Sequence, residues 1–345
     1  MICFLLLLLG ICSYKVKVAH FYPDYMDRYT TTSIKGVFAI IILLSHMRGY
    51  LSLTTPLDVL YNDILFFIGQ SMVAMFFFYS GYGIFEAFKN RWNYSDSFFR
   101  KRILKTLIHF DLAVFLFLFS ETLLGHFYPF HNYIYCWVGW ENIGNSNWFI
   151  FDILVLYILA YIGMLVCKLS SRQLIFFFAI VASLVVALWV LFVVNKKGDH
   201  YWYDTLFCFP AGMYFSLYKK SIEYHLVNSK YNKWKYFVAL LFLVSLYAVF
   251  IHLPNAIRWS LETFTFCFLL LIVSMKIRIG NQILFWLGTN AFSIYILQRL
   301  PMSILAECGL NRNNMVFSLL AIPIVLFVSC KFTKITNIID SRYFK

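Results

Sequence analysis

Lys35 and His46 stand eleven residues apart in the stretch SIKGVFAIIILLSHMRGY, residues 33–50. A lysine can hold an anion, and a histidine is the usual general base near neutral pH. At about 100° per residue, that separation is three helical turns plus roughly 20°, so both side chains share one helix face. At about 1.5 Å rise per residue they lie about 16 Å apart along the axis. An ionisable residue inside a membrane span is costly and marks a functional site by default. Blander readings stand beside this one. Lys35 alone reads as an interfacial anchor, and His46 alone as a histidine hydrogen-bonded between helices. The pair at this spacing says more than either residue.

The elements that would position the pair follow from composition. The chain has 345 residues, 61% hydrophobic and 21% aromatic, with only 13% charged. Runs of 18 or more mostly apolar residues read as membrane spans, and in lipid only helices or closed barrels satisfy the backbone. The runs are too long and too uniformly apolar for barrel strands. The fold class expected is therefore all-α, a polytopic membrane bundle. Ten core helices are placed at about 35–53, 62–88, 103–124, 147–167, 174–194, 202–218, 235–253, 259–276, 283–305 and 315–333, with a short apolar segment at 1–12 in front. Two regions result: residues 1–34, an N-terminal apolar segment and connector, and residues 35–345, the membrane domain. No internal repeat of the kind that builds many transporters is visible.

The net charge of +13 by itself would suit nucleic acid, but its distribution argues against it. With the start of the first core helix inside, Arg48, Lys196, Lys197, Arg258, Arg299 and Arg312 fall outside, and the other 23 of the 29 Lys and Arg residues fall inside. That bias is a topology signal. It puts Lys35 near the cytoplasmic face and His46 past the midplane. The aromatic excess, mostly Phe, is expected to be lipid-facing bulk.

Further motifs follow in chain order. The second span ends MFFFYSGYGIFEAFKNR, where Phe77, Phe78 and Tyr79 lead into Ser80-Gly81-Tyr82. Glycine lets backbones approach closely, and serine can hydrogen-bond across helices. In the basic run FFRKRILKT, Arg102 and Lys105 are three apart, share a helix face and could clamp a phosphate; Arg100 and Lys101 read as topology anchors. Asn147-Trp148-Phe149 opens the fourth span, and Leu287-Gly288 and Ser293-x-Tyr295 lie in the ninth. Of the acids at outer helix ends (Asp63, Glu121, Asp152, Asp204 and Glu262), Asp152 is the candidate to orient His46 or bind sugar hydroxyls. His109, Asp111 and Glu86 lie near the inner leaflet and could pair with the basic loop.

Together these features resemble the integral-membrane acyltransferase-3 family, the O-acyltransferases of cell-surface glycans. The likeness rests on a cation and a histidine separated by ten residues in the first core helix, the Ser80-Gly81-Tyr82 segment, the Arg102-x-x-Lys105 pair, Trp148-Phe149 and the ninth span. The family usually has arginine at the positions of Lys35 and Lys105, and lysine keeps the charge but loses the bidentate fork. Gln298 stands where a family histidine is common.

The resemblance implies transfer of an acyl group, acetyl by preference, from cytoplasmic acetyl-CoA to a hydroxyl of an extracytoplasmic polysaccharide or lipid-linked glycan, in a bacterial plasma (inner) membrane. It implies His46 as a catalytic residue, and Asp152, chosen for its place next to Trp148-Phe149, is added to it as the acid that would orient His46 or bind sugar hydroxyls. It assigns Lys35, Arg102, Lys105, Ser80 and Tyr82 to the acyl-CoA donor, with no metal and no nucleic-acid partner. His46 would take the hydroxyl proton or carry the acyl group transiently. Two rivals remain: a transporter of lipid-linked glycan using the same aromatic cavity, and a silent scaffold of a glycan-assembly complex.

Overall fold

The computed structural model describes residues 14–16, 20–91, 93–169, 174–195, 200–228, 231–253 and 255–344; the apolar segment expected at 1–12 lies outside the described residues. The chain is almost entirely helical. In order come β1 (Tyr14–Val16), α1 (Arg28–Met47), α2 (Pro56–Asn90) and α3 (Tyr94–Leu123). The last runs through a π-helical turn at Phe99–Leu104. Then follow α4 (Trp148–Leu169), α5 (Leu174–Asn195), α6 (Cys208–Glu223), α7 (Asn232–Phe250) and α8 (Asn255–Ser274). The chain closes with β2 (Ile277–Ile279), α9 (Gln282–Thr289), α10 (Ala291–Leu297), α11 (Arg299–Glu307) and α12 (Asn314–Tyr343). The two strands pair antiparallel, Tyr14 opposite Ile279.

Eight helices among the described residues are long and apolar enough to cross a membrane. This fits an all-α polytopic bundle and differs from the ten expected spans at two places. The sixth, α6, has only 16 residues. The ninth is broken into α9, α10 and α11. Pro301 explains one break: it has no N–H to bond the carbonyl of Leu297, four residues back, and its ring crowds that carbonyl. At the other break the Asn290 amide donates to the carbonyl of Trp286 at 2.8 Å, a local alternative to helical bonding. Interrupted backbone at membrane depth is tolerated where protein surrounds it or it lines a cavity.

Local signals fix the helix starts. Asp27 caps α1, its carboxylate accepting from the Thr30 N–H at 2.6 Å, so α1 begins seven residues before the expected start and carries Lys35 in its third turn. Thr55 caps α2, with Pro56 in the first turn, where its fixed φ suits a helix start.

Two glycine pairs set the tightest packing. A Cβ on Gly36 would collide with the Leu284 carbonyl, and one on Gly288 with the Thr32 carbonyl, so α1 and α9 touch backbone to backbone. Gly81 meets the Phe209 carbonyl and Gly212 the Phe78 carbonyl, which joins α2 to α6 in the same way. Small residues are the usual means of close helix approach in membranes.

The core corrects one expectation. Phe77, Phe78, Phe85, Phe88, Phe98, Phe110 and Phe117 are fully buried, so much of the phenylalanine excess fills the interior and does not face lipid. The reason is that α2 contributes a nearly continuous apolar cylinder, and its inner positions need large rings to fill the space between helices. Phe115, Phe119 and Phe327 do lie on the outside, and no residue of α7 is buried.

Candidate active site

α1 presents Lys35, Ala39 and Ile42 to a cavity of about 220 Å³. These positions follow one helix face, and His46 is next on the same face. The facing wall is the broken ninth segment, which adds Gly288, Phe292 and Tyr295. Ser80 from α2, Thr106 from α3 and Phe149 from α4 also line it. Lys35 opens into this space because Gly36 and Gly288 bring α1 and α9 together beside it.

His46 stands past the cavity, joined to it by Tyr295. The two rings meet edge to face with centroids 6.3 Å apart, and Tyr295 in turn meets Phe149 at 5.1 Å. His46 is half-buried. Its Nδ1 lies 3.1 Å from Nη2 of Arg299. A guanidinium has only donors, so Nδ1 is the accepting nitrogen, and the neutral ring carries its proton on Nε2.

Asp152 is fully buried, and neither carboxylate oxygen has a hydrogen-bond partner. It lies three residues beyond Phe149 on the same face of α4, within electrostatic reach of Tyr295 and Asp204. The other acids expected at outer ends all have neighbours. Glu121 binds His126 at 2.8 Å, Glu262 pairs with Arg258 at 3.3 Å, and Asp63 accepts from Asn62 at 3.4 Å. Asp204 accepts from Gln70 at 2.8 Å and bonds His200 at 3.0 Å.

At the opposite end, Lys35 lies 5.5 Å from the Tyr79 ring centre and within electrostatic reach of Arg102. Arg102 is exposed and donates to the Tyr94 hydroxyl at 3.2 Å. Lys105 does not join them, because it is ion-paired with Asp340 at 2.5 Å, and His109 binds the same carboxylate at 2.9 Å. The π-helical turn at Phe99–Leu104 winds less per residue than an α-helix. It therefore rotates Arg102 and Lys105 off the shared face that α-helical spacing predicts.

Ser80 and Tyr82 also part. Two residues apart on a helix they face opposite ways. Ser80 lines the cavity, while Tyr82 accepts from Lys219 at 3.2 Å and packs against Phe215. Nearby, the Tyr25 hydroxyl donates to Glu223 at 2.9 Å. Burial and that carboxylate push its phenol far above the ordinary range, so it remains a donor and pins the connector before α1. Glu86 pairs with Lys89 at 2.8 Å. Ser293 bonds Thr333 at 2.7 Å, holding α10 to α12.

Arg299 is the functional candidate that sequence reasoning passed over. The charge distribution places it only among the outer cations, although an arginine inside the ninth apolar run carries the signal of an intramembrane ionisable group.

The site thus joins an anion-ready cation, a narrow apolar cavity and a histidine along one helix face, an arrangement suited to bringing a charged donor and a proton acceptor to one reacting bond. A family model described as an acyltransferase domain matches residues 31–333, which takes in α1 and the broken ninth segment. No curated protein and no solved structure matches the chain. The chain therefore belongs to the acyltransferase-3 family and is a membrane acyltransferase that transfers groups other than aminoacyl groups.

Proposed function

We propose that the enzyme transfers an acetyl group from cytoplasmic acetyl-CoA to a hydroxyl of a glycan on the far side of a bacterial plasma membrane. The observation that carries this reading is the alignment of Lys35, the cavity and His46 along α1. The nucleotide phosphates rest on Lys35 and Arg102, which lack carboxylate partners among the described residues. Lys105 contributes only if it leaves Asp340. The cavity, about 220 Å³, is smaller than the roughly 300–1,000 Å³ that encloses a drug-sized ligand, which suits a thin pantetheine arm reaching past Ser80.

The chemistry balances with this chain's residues. The acceptor oxygen attacks the thioester carbon as its proton passes to Nδ1 of His46, the nitrogen whose lone pair now faces Arg299. The carbon–sulfur bond breaks, and the thiolate takes the proton back from the imidazolium. Asp152, buried without a partner, receives hydrogen bonds from the acceptor's other hydroxyls.

The test is to incubate membranes containing the full chain with labelled acetyl-CoA and a glycan extract. Label in glycan, lost in His46→Ala, supports the reading. Glycan movement without label indicates a transporter, and neither indicates a scaffold.

A further inference from the structure

Two arginines flank His46, and they are engaged very differently. Arg48 is engaged at all three nitrogens by neutral acceptors: it donates to the carbonyls of Ser45 and Asn62 at 3.1 and 3.0 Å, to the Asn62 amide oxygen at 3.1 Å and to the Ser45 hydroxyl at 3.4 Å. Arg299 donates to Nδ1 of His46, and its Nε is buried without any hydrogen-bond partner. No carboxylate pairs with Arg299 among the described residues. A buried, unpaired charged donor is expensive, because it loses water and gains nothing in return. The neighbouring Gln298 is fully buried, and its Oε1 is likewise without a partner.

That inventory fits one class of ligand. An oxyanion carried by the acceptor satisfies the Nε of Arg299 and offers its guanidinium a charged partner in place of the imidazole. We propose that Arg299 is the specificity-determining residue for the acceptor: it takes a carboxylate or phosphate carried by the glycan, and in doing so it leaves Nδ1 of His46 free. The acceptor is then an acidic glycan, and the base is exposed only when that glycan is bound. This rests on the reading of His46 above. The anion site itself can be measured without transfer.

Binding is measured with the full chain in nanodiscs, without donor. For the carboxylate arm the probes are trigalacturonate and its methyl ester; for the phosphate arm they are phosphorylated maltotriose and maltotriose. The anionic member of at least one pair should bind on the order of 10- to 100-fold tighter, the range of a charge-assisted pair shielded from water. Which pair discriminates identifies the anion. Arg299→Gln should erase the preference, and Arg299→Lys should keep part of it, which separates recognition from mere folding. Equal binding within both pairs, or a preference that survives in Arg299→Gln, overturns the site. Transfer kinetics then test the release of His46. At saturation the neutral acceptor should show kcat lower by about tenfold or more; equal kcat overturns the release. Intact discrimination with no transfer to any acceptor counts against the transferase mechanism and not against the anion site.

Discussion

Arg299 and His46 are joined by a 3.1 Å contact across 253 positions of sequence. It ties α11, the last piece of the broken segment, to the end of α1, while the preceding piece, α10, brings Tyr295 against the same histidine. Its consequence is that removing the imidazole has two separable effects.

His46→Gln keeps an amide oxygen that can accept from Arg299 but no titratable nitrogen. Transfer should fall about 10²- to 10⁴-fold, the usual worth of a general base, with thermal unfolding close to wild type. His46→Ala should lose as much activity and also about 1–3 kcal/mol of stability, because Arg299 is stranded. Labelled-donor assays and scanning fluorimetry on the purified chain read the two effects. A His46→Gln variant with near wild-type turnover would remove His46 from the chemistry.

Lys35→Arg should hold or raise donor affinity, since arginine adds a bidentate fork for phosphate. Lys35→Ala should weaken donor binding about 10- to 100-fold with little change in folding. Titration with a non-hydrolysable acetyl-CoA analogue measures both. A large loss in Lys35→Arg would show that the cavity requires the slimmer lysine.

Lys105 and Arg102 should separate. Arg102→Ala is expected to weaken donor binding about tenfold, because its charge faces no acid among the described residues. Lys105→Ala should act mainly on stability, about 1–3 kcal/mol, by leaving Asp340 to His109 alone. If Lys105→Ala matches Arg102→Ala in donor affinity at unchanged stability, the lysine leaves Asp340 when donor arrives.

Asp152→Asn removes a buried carboxylate that has no partner. Stability should change little, because the amide is as poorly hydrogen-bonded in that position as the carboxyl it replaces. Transfer should fall at least tenfold, mostly through acceptor KM. Unchanged kinetics would confine Asp152 to a structural role.

Local sequence carried the helical class and the face shared by Lys35 and His46, whereas Ser80, Phe149 and Tyr295 stand in separate motifs that only tertiary packing brings to one cavity. Hydrophobic run length and helical period are short-range properties and read directly. Lys105 departs from the clamp geometry because that spacing assumes an α-helix, while the chain winds as a π-helix at Phe99–Leu104 and pairs Lys105 with Asp340, 235 positions away. Arg299 was counted as an outer charge because its partner lies at the far end of the chain. The split between buried and outward phenylalanines depends on which neighbour each helix face meets, and α2 shows no strong one-sided pattern from which to read it.

The contact of α1 with α9 has a last implication for the charge at Lys35. The carbonyls of Thr32 and Leu284 act as stops on either side of Gly36 and Gly288. With methyl groups at those two glycines the helices would be wedged apart, and the ammonium group would swing away from the mouth it serves. The address of this cation is thus written in two side chains the protein omits, and even alanine at Gly288 should be felt about 16 Å along the helix, at the histidine.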